Sequence, residues 1–91
     1  MARLKFSAAF GSVVRRRRTA KDISQERLAE AADIHRNYVG MLERGESAAT
    51  LDVAERIAQA LGVALEDLIG ESRKALARGT VIVPRWRSRR R

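Results

Sequence analysis

The segment SQERLAEAADIHRNYVGMLERG, Ser24 to Gly45, constrains this chain more than any other. It holds two apolar patterns, each short and close to the other, which fit a pair of short helices joined by a tight turn. Ser24 is a residue type that caps a helix, its side chain accepting a hydrogen bond from an orphan backbone N–H. Leu28, Ala29 and Ala32 follow at i, i+1 and i+4, on one face. Asp33 breaks the pattern, and aspartate is among the few non-glycine residues that tolerate a left-handed backbone. From about His35 the pattern resumes with Val39 and Leu42 inward. Gly45 then falls where a helix end favours positive φ.

Helix, turn with a left-handed position, helix is the geometry of a DNA-reading helix-turn-helix, whose second helix enters the major groove. The rest of the composition fits a small domain built around it. Ninety-one residues make one domain with a modest core, and at 4% aromatic content that core must be Leu, Ile, Val and Ala. Without cysteine there is no disulfide framework and no thiolate metal site, and a single histidine cannot build a zinc site. No metal and no cofactor are expected. No apolar run approaches the ~18 residues of a membrane span. Lys5, Ser7 and Ser12 interrupt the mildly apolar N-terminal stretch, so no secretory signal is expected and the expected location is cytoplasmic.

The net charge of +8 is unevenly spread. Residues 1–21 carry seven Lys/Arg and no acid, residues 22–72 carry four Arg against eleven Asp/Glu, and residues 73–91 carry eight Lys/Arg and no acid. An acidic middle thus lies between two basic flanks. Such flanks serve either as solvated ends or as phosphate-binding segments, and the helix-turn-helix between them favours nucleic acid.

Taken in order, residues 1–6 read as an arm. Ser7 caps a first helix to about Ala20, with Phe10, Val13 and Val14 inward. Arg17 falls on the same line, where its stem can lie along the core rim. Arg15 to Arg18 are consecutive, and at ~100° per residue they wrap most of the helix, so at most two can face a phosphate. Thr50 caps a fourth helix with the stripe Leu51, Ala54, Ile57, Ala58 and Leu61. A fifth helix, about 65–69, ends at Gly70. The expected architecture is all-α: a five-helix DNA-binding domain over 7–70, followed by an extension over 71–91. Two further helical turns up to Arg78, a β-branched strand at 80–83 and a basic tail at 85–91 are read within that extension.

Over about residues 10–69 the sequence resembles the lambda-repressor/Cro-like (XRE) helix-turn-helix family. The resemblance rests on Phe10-Gly11, Arg18, Ile23-Ser24-Gln25, Leu28-Ala29, Val39, Leu42-Glu43-Arg44-Gly45, Leu51, and Leu61-Gly62-Val63 through Leu68. Two positions depart from it: Asp33 stands at a turn position usually held by Gly, and Ala49 where many members carry Pro. The resemblance implies a phosphate contact for Gln25 and base contacts for Arg36 and Asn37. Arginine can bridge guanine O6 and N7, and asparagine adenine N6 and N7. Met41, one turn on, either touches a thymine methyl or fills a gap at the rim. Gly40 either lets backbone approach the groove or serves helix packing. Tyr38 reaches a phosphate or packs at the domain edge, and Arg44 reaches the DNA backbone or complements the helix dipole. His35 reads as a cap or turn residue. Arg15 and Arg16 are the phosphate candidates of the arginine run. Arg18 and Glu43 match positions that form a partly buried ion pair in some family members.

The expected function is a sequence-specific transcriptional regulator of double-stranded DNA, acting as a homodimer on a palindromic operator. The phrase from Arg36 to Gly45 leans toward restriction–modification controllers. Leu65, Leu68 and Ile69 cannot all be buried in so small a core and are expected at the dimer surface. Val81, Ile82 and Val83 could pair across the two-fold. The chain leaves no length for a ligand-sensing domain, so no small-molecule ligand is expected. Two alternatives remain: an antitoxin-like module whose residues 80–91, with Trp86, dock on a partner protein, and a nucleic-acid binder without sequence preference. With no nucleophile–base pair, metal cluster or phosphate-cradling glycine loop, an enzyme is not expected.

Overall fold

Ser24, His35 and Thr50 each accept a hydrogen bond from a backbone N–H two or three residues ahead, and a helix begins behind each of them. The computed structural model describes residues 6–79. Of the expected arm over residues 1–6 only Phe6 is described, and it lies in a helix; residues 1–5, the strand 80–83 with Val81, Ile82 and Val83, and the tail 85–91 lie outside the described residues. Within them the chain forms α1 (Phe6–Ala20), α2 (Gln25–Ala32), α3 (Arg36–Glu43), α4 (Leu51–Leu61) and α5 (Leu65–Arg78), and no strand.

The helix ends follow one rule. Asp22, Asp33 and Gly45 take left-handed φ of 61°, 59° and 77° just past α1, α2 and α3. The reversed chain then satisfies the last carbonyls: Ile34 N–H donates to Ala29 at 3.0 Å, and Glu46 N–H to Met41 at 2.8 Å. Ile23, Ile34 and Val63, each next after a left-handed residue, fold back onto the core. The ends of α1, α2 and α4 are therefore also packing contacts.

Phe10, Val13 and Val14 of α1 meet Leu28, Ala29 and Ala32 of α2, Val39 and Leu42 of α3, and Ala54, Ile57, Ala58 and Leu61 of α4 in one core. Helix α1 packs on α5 and α3, and α2 packs on α3 and α4. Arg56 of α4 donates through Nε to the Ala32 carbonyl at 2.9 Å, tying α4 to the end of α2. Among the described residues no helix is long and apolar enough to cross a membrane.

Three expectations are corrected. Gly70 does not end the fifth helix: α5 runs on through it to Arg78 and closes at Gly79. Leu68, Ser72 and Ala75, at helical spacing, are all buried, so continued packing outweighs the weak helix propensity of one glycine. The folded unit accordingly reaches past residue 70. The same spacing removes Leu68 from the expected dimer surface, because its side chain is wholly buried within this chain. Leu65 and Ile69 remain partly exposed at the core edge. Leu51 is 78% exposed, and the buried stripe of α4 starts at Ala54, one turn later. Leu51 points into solvent, while Val53 in the same turn still packs at the core edge.

Ser7, the expected cap, lies within α1, whose described part runs from Phe6. The Arg73 guanidinium of α5 sits 5.5 Å from the centre of the Phe6 ring. At the other end of α1, Arg17 pairs with Glu71 through Nε at 3.1 Å and through Nη2. Arg16 lies 3.4 Å from the same carboxylate. The hydrogen bond from Arg17 holds the Glu71 carboxyl below the usual glutamate range, against a smaller opposing effect of burial. A carboxyl with a lowered folded-state pKa adds stability above its unfolded pKa and loses it as pH falls through the folded one. Glu71→Gln should therefore melt below the wild type at neutral pH. That gap should close as the pH drops below ~4.3, the ordinary glutamate value, in parallel thermal melts. A gap independent of pH would contradict the assignment.

Candidate nucleic-acid interface

The start of α3 lies on the exposed side of the helix-turn-helix. Arg36, Asn37, Met41 and Arg44 are exposed, whereas Val39 and Leu42 are buried against the core. Spacing on a helix accounts for the split: positions 36, 37, 41 and 44 share one face, and 39 and 42 the other. The His35 ring accepts the Asn37 N–H at Nδ1 (3.0 Å), which makes it the cap of α3. The cap orders the helical turn that carries Arg36 and Asn37.

Behind this face lies a buried polar knot. The Glu43 carboxylate accepts from Arg18 Nε at 2.7 Å and Nη2 at 3.1 Å, and from Gln25 Nε2 at 2.9 Å. Arg18 also donates to the Ile23 carbonyl at 2.8 Å. The two charged side chains are 11% and 2% exposed, so this is a desolvated pair with its hydrogen bonds made. It joins α1, the start of α2 and the end of α3 through one carboxylate. Arg18 is thereby placed away from any surface role, as its resemblance-based assignment implies.

Other candidates are also engaged within the chain. The Tyr38 hydroxyl donates to the Ala48 carbonyl at 2.7 Å, and the ring packs on the core, so its donor hydrogen already holds the loop after α3. A phosphate would have to displace that bond. Arg44 forms a fork with Glu46, Nε to Oε2 and Nη2 to Oε1, both at 3.2 Å. Arg36 lies 3.9 Å from Glu26 with both side chains largely in solvent, a weak pairing that leaves Arg36 free to reach outward. Arg15 is exposed, while Arg16 is drawn toward Glu71 on the α1–α5 side.

Gly40 is buried in mid-α3, between these groups. A Cβ there would stand 3.1 Å from Arg44 Nη1 and 3.8 Å from Gln25 Oε1. The fold thus brings Gln25, Gly40 and Arg44 together. It also places Glu26 and Glu46 beside two of the candidate contacts. Sequence reasoning passed over both acids, although Glu46 follows Arg44 by two residues across a left-handed turn, a signal that could have been read. Glu71 gave no such signal, being 54 residues from Arg17.

Known proteins are similar to this chain in sequence and fold. Residues 14–68 match the helix-turn-helix family HTH_3. Control protein C.BamHI of Bacillus amyloliquefaciens is 46% identical over 61 residues, covering 66% of this chain and 75% of that protein. The restriction–modification controller protein C.AhdI of Aeromonas hydrophila superposes with a TM-score of 0.66 at 39% identity, over 68% of this chain and 94% of that one. The controller C.Esp1396I, solved as a tetramer in complex with its natural 35 base-pair operator, superposes with a TM-score of 0.67 at 27% identity, over 77% of this chain and 97% of that one.

Proposed function

This chain belongs to the helix-turn-helix family HTH_3, and from that premise we propose that it is a sequence-specific DNA-binding transcriptional regulator of the restriction–modification controller type. The observation that carries the proposal is the α3 face. Arg36, Asn37 and Met41 stand exposed on the first turns of a helix fixed from behind by Leu42 and Glu43. A rigid helix presenting a bidentate donor and an amide is what major-groove readout requires.

The mechanism follows from that geometry. Helix α3 enters the major groove, where Arg36 reads a guanine and Asn37 an adenine, with Met41 against a thymine methyl. The start of α2, at Gln25, meets the phosphate backbone with its first N–H groups and positive dipole end. One such helix covers only a few base pairs, so the chain acts as a homodimer on a palindrome, each copy reading one half-site. Leu65 and Ile69, at the exposed edge of the core, are the dimer contacts of the described residues that remain. The basic residues outside the described part add affinity without sequence preference, through counterion release.

Arg36→Ala should weaken binding to the preferred site by about 1–3 kcal/mol and relax the choice of base pair at one position of each half-site. Binding titrations on the preferred duplex and its single-base variants measure this. Equal weakening on every sequence would assign Arg36 to the backbone instead.

A further inference from the structure

Gly40 calls for a reason to be glycine. It sits inside α3 without a positive φ, so the backbone does not require it, and glycine is a poor helix former. Nor does close packing of backbones require it. At Gly11 a Cβ would meet the backbone of Leu42, but at Gly40 it would meet only the ends of two long side chains, Arg44 and Gln25.

Those side chains are each held from the far side. Gln25 is turned by Glu43: a carboxylate only accepts, so the amide nitrogen points to it and Oε1 is left facing Gly40. Arg44 is held along its Nε–Nη2 edge by Glu46, which leaves Nη1 lying over the bare Cα of Gly40. We infer that Gly40 keeps open a notch between α2 and α3 in which Arg44 lies across toward Gln25, so that the two form a preorganised seat for one phosphate of the DNA backbone.

The inference deepens the proposed function and rests on it. Arg44 supplies the cationic donors, and Gln25 supplies a backbone N–H at the start of α2 that has no acceptor within its helix. Glu43 and Glu46 act as positioning residues that set the two side chains before DNA arrives. A seat of this kind recognises the phosphodiester, not the base, and so adds affinity equally for all duplexes.

The test compares wild type, Gly40→Ala, Arg44→Ala and the double variant. Each is titrated, across a salt series, with a duplex that the wild type selects from a random pool and with a random-sequence duplex. Gly40→Ala should melt at or above the wild-type temperature, since the added methyl displaces only the far end of the Arg44 side chain and no backbone atom. It should weaken binding to both duplexes by about tenfold, the loss of one charged hydrogen bond. It should also reduce the slope of log K against log salt by about 0.9, the loss of one phosphate. Arg44→Ala should do the same, and the double variant should be no worse than Arg44→Ala alone. The notch is overturned if Gly40→Ala unfolds the domain, if it leaves affinity and slope unchanged, or if its loss adds to that of Arg44→Ala. A folded wild type that binds no duplex overturns the proposed function and the notch with it.

Discussion

Gly11→Ala is expected to destabilise the domain by roughly 3 kcal/mol or more and to lower its melting temperature by over ~12 °C. A Cβ at this position would lie 1.8 Å from the Leu42 carbonyl oxygen, 2.9 Å from its carbon and 3.2 Å from the Glu43 Cα. These are backbone atoms of α3, and no rotamer change can clear them. Helix α1 would have to move away from α3. That movement would loosen Phe10, Val13 and Val14 from the core and stretch the Arg18–Glu43 pair. Better helix propensity gives alanine up to ~1 kcal/mol in return, too little to change the sign. Gly70→Ala provides the control. It makes the same chemical change inside α5, where nothing lies within 4 Å of the added Cβ, and it should raise the melting temperature. A Gly11→Ala protein melting at or above the wild type would mean that the α1–α3 approach is not as close as described.

Glu43→Ala is expected to cost about 3–5 kcal/mol, the range for breaking a buried ion pair from one side. The loss goes beyond three hydrogen bonds. Arg18 stays in place, 11% exposed, with a charge that neither water nor a carboxylate compensates. Removing both partners should be much milder. An Arg18→Met, Glu43→Leu double variant fills the same space without a buried charge, and should recover most of the stability lost in Glu43→Ala. Thermal melts of the three variants would show it. A double variant as unstable as Glu43→Ala would place the importance of Glu43 in its bond to Gln25, not in its bond to Arg18.

These two positions mark what the sequence can convey. Helix starts and stops were legible because they are local: Ser24, Thr50, Asp33, Gly45 and Gly62 each act on the few residues around them. The inward faces of α1, α2 and α3 were legible through periodicity. Gly70 misled because propensity is a local quantity, whereas α5 is held by Leu68, Ser72 and Ala75 packing under α1. Leu51 and Leu68 share the apolar character on which both were judged, yet one is exposed and the other buried. Only the position of neighbouring helices separates them. The Arg17–Glu71 bridge and the Gln25–Glu43 bond join residues far apart in sequence, and no spacing rule reaches them. Of the candidate site, the family resemblance implied Arg36 and Asn37, and the shared helical face added Met41. Of the acids that stand beside its cations, Glu46 was within reach of local reasoning, and Glu26 emerged only from the folded arrangement.

Selection of bound duplexes from a random pool, by the wild type and by Arg36→Ala, tests most directly whether α3 reads DNA sequence. The wild type should enrich a palindrome with half-sites about one helical turn (~34 Å) apart. Arg36→Ala should enrich the same palindrome with one base pair of each half-site left undefined. No enriched sequence with the wild type, or an identical and equally defined site with Arg36→Ala, would contradict the account.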